Sequence, residues 1–270
     1  MAGLDILMGG MLTNIEIFLL VFVRMSSLFI ISPIFGRRNV PSIFKIGFAL
    51  MVSVILMNVV ELPVNVNLYS IYDFSIAVFK EFIVGLVLGY VGFVILSAIY
   101  LAGQLIDTQI GFGIVSVIDP VSNIQVPITA TLYYGLTMVI FLTINGHHML
   151  IDAVVRSFNI IPISTAVFSQ GMTPQLIQIM GMVFIIAFKI SAPIIAAALI
   201  CDVALGILSR TMPQMNIFFV GIPLKIVLGL VVVMITIPAF ISIVSFSIDN
   251  INEQTNTVMN LMAPQKVGSF

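Results

Sequence analysis

The chain has 270 residues, of which 60% are hydrophobic and 8% are charged, and its formal net charge is -1. Soluble domains carry about 25% charged residues, and a mean hydropathy of +1.23 is too apolar for a water-facing surface, which excludes an ordinary soluble protein. The balanced charge excludes the basic field by which nucleic-acid-binding proteins attract phosphate. Cys201 is the only cysteine, which excludes an intrachain disulfide. Residues 1–35 lack a basic n-region and a cleavage site, so we expect them in the mature protein.

Six long apolar segments follow one another along the chain, each near the roughly 20 residues that cross a hydrocarbon core. They are residues 17–34, 40–60, 82–102, 120–144, 176–200 and 217–246. Asp119 and Pro120 are typical of a helix start, and Asn145-Gly146 is typical of a helix end. The helix between them would be about 37 Å long, so it must tilt or protrude from the bilayer. We predict an all-α polytopic membrane protein with about six long helices.

Three ionisable residues lie well inside these apolar segments: Arg24, Lys189 and Lys225. Such residues are costly in lipid and normally face a protein partner or a water-filled cavity. Pro193 and Pro238 also lie inside segments, where they leave backbone groups that need other partners. This pattern favours a bundle packed against other subunits around an aqueous path. Snorkelling side chains and ordinary proline kinks are the alternative.

Residues 103–125, with the sequence GQLIDTQIGFGIVSVIDPVSNIQ, are predicted to form an apolar loop between two segments. Gly111 and Gly113 make the loop pliable. Irregular backbone at membrane depth is tolerated only inside protein or along a cavity. A pliable apolar loop in such a place is suited to closing a pore, although an interfacial or re-entrant loop explains the pattern equally well.

Two polar groupings were weighed as sites of chemistry, and neither predicts an enzyme or a cofactor. His148 and Asp152 have the i, i+4 spacing that places metal ligands on one helical face, next to His147, but no third ligand is evident. Asp107 and Asp119 suggest the carboxyl pair of an aspartyl protease. They lie twelve residues apart in a glycine-containing stretch rather than on two long helices. We therefore predict no catalytic residue and no metal site.

A series of short motifs resembles the family of flagellar biosynthetic protein FliR, called SctT in virulence secretion systems. The motifs, in chain order, are Arg24, SPIFG at 32–36, Pro41, Lys45, GQLIDTQIGFG at 103–113, Asp119-Pro120, Phe141-Leu142, NGHH at 145–148, Ser157-Phe158, Pro162, Pro193, Asp202, Gly206, Arg210 and PQMN at 213–216. Their order and spacing carry the resemblance from the first segment almost to the C-terminus. The NGHH turn favours the flagellar branch.

The last two segments also resemble a second family, the small two-helix protein FliQ. The similar residues, in order, are Ala192-Pro193, Gly206, Gln214, Phe218 and Pro223-Leu224-Lys225. The resemblance implies a FliP-like part over residues 1–175, a FliQ-like helical hairpin over residues 176–246 and a C-terminal tail over residues 247–270. All three would belong to one FliR-type membrane domain.

The resemblance implies a non-enzymatic subunit of the flagellar type III export gate, in the bacterial inner membrane at the flagellar basal body. FliP and FliQ would be its partners in a closed helical assembly whose channel passes unfolded flagellar proteins. FlhB would pack against that gate, with FlhA nearby. No cofactor is implied. A virulence-type gate subunit and a small-solute transporter are the alternative functions.

The resemblance also implies roles for particular residues. The loop would form a plug in the pore, with its glycines as the hinge and Asp119 and Pro120 starting the next helix. The plug residues would be Ile110, Gly111, Phe112, Gly113, Ile114, Val115, Val117 and Ile118. The candidate intersubunit contacts would be Arg24, Lys189, Gln214 and Lys225. Because helices of such a gate bend and pack within it, six segments need not mean six bilayer crossings.

Overall fold

The computed structural model describes residues 2–33, 35–36, 40–57, 70–112, 127–214 and 216–264, with side chains from residue 15 onward except at 217 and 218. Within these ranges the chain forms seven α-helices and no strand. In chain order they are α1 (Ala2–Ile31), α2 (Ser42–Met57), α3 (Ile71–Ile110), α4 (Ile128–Thr143), α5 (Gly146–Ile160), α6 (Met172–Thr211) and α7 (Ile217–Met262). The prediction of an all-α polytopic membrane protein is confirmed.

In the described part of the chain, three helices are long and apolar enough to cross a bilayer: α3, α6 and the part of α7 over Phe219–Met262. A fourth span is possible if α4 and α5, broken at residues 144–145, count together. The helix α2 is apolar but has only 16 residues. The 40 residues of α3 span about 60 Å at 1.5 Å per residue, twice a hydrocarbon core of roughly 30 Å. Six apolar segments therefore do not translate into six plain spans.

Several predicted helix ends are wrong. Residues 103–110 continue α3 instead of starting a loop. The helix expected over residues 120–144 begins at Ile128, so its 16 residues measure about 24 Å instead of 37 Å. It stops where expected, because Asn145 takes the left-handed conformation with φ of 59°. The Asp119-Pro120 start lies outside the described residues.

The chain divides into two compact units, of which the first comprises Met1–Val94, Asn145–Ile179 and Asn250–Phe270. In this unit α1 packs against α2, and the ring of Phe29 lies 4.7 Å from that of Phe35 and 5.4 Å from that of Phe48. The end of α7 belongs to the same unit, where Val167 donates a backbone hydrogen bond to Met262. Residues 247–262, which are predicted to begin a C-terminal tail, therefore continue the helix α7.

The second unit comprises Ile95–Ile144 and Met180–Asp249. The ring of Tyr133 on α4 stacks on Phe240 of α7 with centroids 4.3 Å apart. The ammonium of Lys225 on α7 pairs with the carboxylate of Asp202 on α6 at 2.8 Å. These contacts join α4, α6 and α7 through one apolar and one ionic interaction.

Candidate functional site

The side chain of Asp107, on the last turn of α3, caps the first turn of α4. Its Oδ1 accepts a hydrogen bond from the backbone N–H of Thr129 at 2.9 Å, and its Oδ2 accepts one from Ala130 at 3.2 Å. The residue at the N-cap position of α4 is Pro127, whose side chain has no acceptor atom. Asp107, only 5% exposed, supplies from another helix the oxygens that an N-cap residue normally supplies itself. A carboxylate there also complements the positive end of the helix dipole.

The backbone carbonyl of the same residue ends α3. It accepts hydrogen bonds from the N–H groups of Gly111 at 3.2 Å and Phe112 at 3.0 Å. Gly111 has a φ of 99°, which residues with a Cβ rarely adopt. The chain on both sides of residues 113–126 therefore makes hydrogen bonds to one residue, Asp107.

The backbones of α3 and α4 approach closely one helical turn before Asp107. A Cβ added to Gly103 would overlap the backbone nitrogen and Cα of Ala130. Gly103 and Asp107 are four residues apart and so lie on the same face of α3. The missing side chain at Gly103 lets α4 come near, and the carboxylate at Asp107 binds its first turn.

A second polar cluster surrounds Arg24 in the first unit. The guanidinium Nε pairs with Oε2 of Glu81 on α3 at 2.5 Å, and neither side chain has any exposed area. Nη1 donates to Oγ of Ser157 at 3.1 Å, and both Nη1 and Nη2 donate to the carbonyl of Ile161 at 3.1 Å. The ring of Phe158 lies 4.1 Å from the guanidinium carbon. Arg24 thus joins α1 to α3 and to the end of α5.

The partner of Arg24 also holds the turn that follows α5. Oε1 of Glu81 accepts a hydrogen bond from the N–H of Ser164 at 2.8 Å. Ser164 has a φ of 68°, an uncommon conformation that needs local support. Lys80 adds a hydrogen bond from its ammonium to the Ser164 carbonyl at 3.3 Å. The carboxylate of Glu81 is therefore used twice, for the buried charge and for the turn.

The four candidate intersubunit residues occupy different environments. Arg24 has no exposed area and contacts residues of its own chain, and its assignment as an intersubunit contact stays a prediction. Lys225 pairs with Asp202 of its own chain. Lys189 and Gln214 are exposed, and their assignment as intersubunit contacts stays a prediction.

The predicted plug residues are only partly within the described ranges. Ile110 is the last residue of α3 and fully buried, and a Cβ on Gly229 of α7 would lie 2.5 Å from its Cδ1. It belongs to the packing of the second unit, and its place in the plug stays a prediction. Gly111 and Phe112 form a turn just after α3. Gly113, Ile114, Val115, Val117, Ile118, Asp119 and Pro120 lie outside the described residues.

The groupings weighed as chemical sites have other contacts in the structure. Asp152 pairs with Nε of Arg156 at 2.8 Å, and Arg156 also donates to Asn252 at 2.7 Å and Asn256 at 3.0 Å. Among the described residues, no three His, Cys, Asp or Glu side chains come together as a metal site. Asp107 serves as a helix cap. Arg156 and Asp107 thus join helices, whereas the Asp152–Arg156 pair lies within α5.

The sequence did not identify Glu81 as the partner of Arg24, nor the role of Asp107 as the cap of α4. Glu81 immediately precedes the charge-free segment at residues 82–102. Its charge, opposite to that of Arg24, and its position at the edge of the segment are the signals in the sequence that indicate a possible partner of Arg24. The capping role of Asp107 had the glycine four residues earlier as its signal, since the two share a helix face. Neither signal identifies the distant partner without the fold.

These helices and buried polar junctions define a membrane-embedded protein in which Arg24, Glu81 and Asp107 connect helices. A family profile described as bacterial export proteins, family 1, matches residues 15–251, so the chain belongs to that family of export proteins. Among its relatives, the flagellar biosynthetic protein FliR of Bacillus subtilis (strain 168) is 35% identical over 95% of this chain and 98% of its own length. FliR of Escherichia coli (strain K12) is 30% identical over 77% of this chain and 78% of its own length. FliR of Caulobacter vibrioides is 28% identical over 78% of this chain and 84% of its own length. The resemblance of the sequence motifs to the FliR family is confirmed, and the division into FliP-like and FliQ-like parts stays a prediction.

Proposed function

We propose that this chain is a non-enzymatic subunit of the flagellar type III protein export gate in the bacterial inner membrane. The observation that carries the proposal is the match to flagellar FliR proteins over nearly the whole length of both chains. In that role the chain forms part of a channel wall together with FliP and FliQ, next to FlhB and FlhA. Unfolded flagellar proteins pass through the channel as transient substrates.

The exposed surface of α6 and α7 supports a role within a larger assembly. Large apolar side chains are exposed along both helices, among them Phe188 at 63%, Met234 at 71% and Ile235 at 71%. A surface of this kind is covered by lipid or by other subunits in the functional state. The proposal assigns part of it to FliP and FliQ.

A groove in the second unit is suited to an apolar helix of a neighbouring subunit. The groove encloses about 530 Å³ and is lined by Leu101, Leu105, Phe184, Ile185, Ala187, Phe188 and Lys189. Lys189 is the one charged group on this lining. Its ammonium has no ion-pair partner among the described residues, and such a charge within an apolar stretch favours a partner that brings a carboxylate. We assign Lys189 to an intersubunit ion pair, with Lys225 and Gln214 as further candidate contacts.

Purification in mild detergent tests the assembly. The full-length chain should extract together with several copies of two small, very hydrophobic proteins, identified by mass spectrometry as FliP and FliQ. Lys189→Glu should reduce their recovery, because it places two carboxylates together, while Lys189→Arg should keep it. Arg210→Glu, which reverses an exposed charge on the last turn of the same helix, is the matched control. Recovery of the chain alone, or as a symmetric homo-oligomer moving a solute, would refute the gate assignment and favour a transporter.

We further propose that residues 111–118 form the plug of the channel. The support is their apolar and glycine-containing sequence and their position directly after the end of α3. Deleting residues 113–118 should make cells leak ions and small solutes while flagellar export largely persists. Unchanged membrane permeability with normal assembly would show that the plug lies elsewhere.

A further inference from the structure

Asp107 is the point at which the chain before residues 113–126 and the chain after them meet. Four backbone N–H groups bind to this one residue: those of Gly111 and Phe112 on its carbonyl, and those of Thr129 and Ala130 on its carboxyl oxygens. The carboxyl group is nearly buried. A buried polar group that loses its hydrogen-bond partner costs free energy, so the arrangement holds the end of α3 and the start of α4 in place.

We propose that Asp107 is a positioning residue that fixes the end of α3 against the start of α4, the two helices that precede and follow residues 113–126 in the chain. Its side chain substitutes for the cap that Pro127 cannot provide, and its carbonyl closes α3 before the left-handed Gly111. The consequence for permeability rests on the proposed plug. Separation of α3 from α4 would make the membrane leak only if the residues between them close the channel. The positioning itself does not depend on that function.

The chemistry of the contact separates this role from simple packing. A buried apolar contact would tolerate any side chain of similar volume, whereas a cap requires an acceptor atom aimed at the helix N-terminus. Asp107→Ala removes both side-chain acceptors. Asp107→Asn has nearly the same size and keeps one carbonyl oxygen, so it should retain one of the two hydrogen bonds. The order Asp, Asn, Ala is therefore an order of acceptor number.

Spin-label distances test the positioning directly. Thr108 near the end of α3 and Thr131 in α4 are both exposed, so each can be changed to cysteine and labelled in a Cys201→Ala background. In the detergent-extracted complex, the labelled protein that retains Asp107 should give one narrow distribution of the distance between the two labels. Asp107→Ala should raise the population with separated ends about 5- to 30-fold, the effect of losing a helix cap. The separated population in Asp107→Asn should lie between those of the other two proteins.

The matched control is Asp73→Ala, which removes an exposed carboxylate from the first turn of the same helix and should leave the distribution narrow. An unchanged distribution in Asp107→Ala, with Asp107→Asn equally unchanged, would overturn the positioning role. Equal disturbance by Ala and Asn with loss of co-purifying proteins would also overturn it, because general misfolding does not follow acceptor number.

A permeability measurement on the same variants separates this inference from the proposed function. If the ends separate in Asp107→Ala and cells leak, the positioning role and the plug are both supported. If the ends separate without any leak, the positioning role stands and the plug assignment fails. If the ends stay together while deletion of residues 113–118 causes a leak, the plug stands and the positioning role fails.

Discussion

Arg24 and Glu81 show how a charge is held inside a protein with few charged residues. The guanidinium is surrounded by a carboxylate, a hydroxyl, a carbonyl and the face of an aromatic ring. A planar guanidinium suits this environment because its five donors have fixed directions and its face stacks on a ring. Lysine offers one compact charge and cannot reproduce these contacts. The arginine therefore acts as a connector of α1, α3 and α5.

Arg24 and Glu81 should be energetically coupled, so that removing both costs less than the two single removals added together. Arg24→Met leaves Glu81 buried without its counter-charge, and such losses cost about 3–5 kcal/mol. The double variant Arg24→Met with Glu81→Leu should lose less than the sum of the single variants, because no unpaired charge remains. Unfolding in mixed SDS micelles, followed by circular dichroism, measures these free energies.

Arg210 provides the control for this comparison. It is an exposed arginine on the last turn of α6, and Arg210→Met should change the free energy of unfolding by less than about 0.5 kcal/mol. Additive effects of the two single variants in the Arg24 and Glu81 pair would contradict a coupled ion pair.

At the scale of helices, the approach of α4 to α3 depends on the missing side chain at Gly103. Gly103→Ala would place a methyl group into the backbone of Ala130, and overpacking of this kind costs about 1–3 kcal/mol. Gly135→Ala is the matched control in α4, since nothing lies within 4 Å of a Cβ there. That substitution should stabilise the helix by roughly 0.5–1 kcal/mol. Opposite shifts of the midpoint of thermal unfolding in detergent are expected, and destabilisation by both variants would contradict the model of a close helix crossing.

The apolar runs of the sequence located six of the seven described helices, all but α5, and did not give their ends. Each of the six segments contains or overlaps a helix, because burial of apolar residues and satisfaction of backbone groups both favour helices in lipid. The ends depend on tertiary contacts. The polar end of α7 stays helical because Gln254 binds Gln175 at 2.7 Å and Arg156 binds Asn252. A composition-based boundary at residue 246 had no access to those partners.

The start of α4 illustrates the same limit for the candidate site. Asp119-Pro120 has the local chemistry of a helix start, but α4 begins at Ile128 with its cap supplied from Asp107, more than twenty residues earlier in the chain. Local pattern reasoning assigns a cap to a neighbour in sequence. A cap supplied by a residue of another helix leaves no local pattern, so the sequence alone does not predict the capping role of Asp107.

At the scale of the whole molecule, the unequal exposure of α7 predicts what surrounds it. Met234 lies in its apolar part and is 71% exposed, whereas Glu253 lies in its polar end and is exposed as well. An exposed apolar side chain on a membrane helix faces lipid or protein in the native state, while an exposed glutamate stays in contact with water. The exposure of Met234 in the isolated chain therefore indicates a lipid or protein contact, whereas the exposure of Glu253 indicates contact with water.

Cysteine labelling in intact membranes distinguishes these two environments. In a Cys201→Ala background, Glu253→Cys should react with a water-soluble maleimide, because the reactive thiolate forms only where water reaches the thiol. Met234→Cys should react far more slowly in membranes and equally fast after denaturation in SDS. If labelling of Met234→Cys stays slow in detergent only when FliP and FliQ co-purify, Met234 lies at a subunit interface. Fast labelling in membranes would show that this face of α7 is covered by neither lipid nor protein.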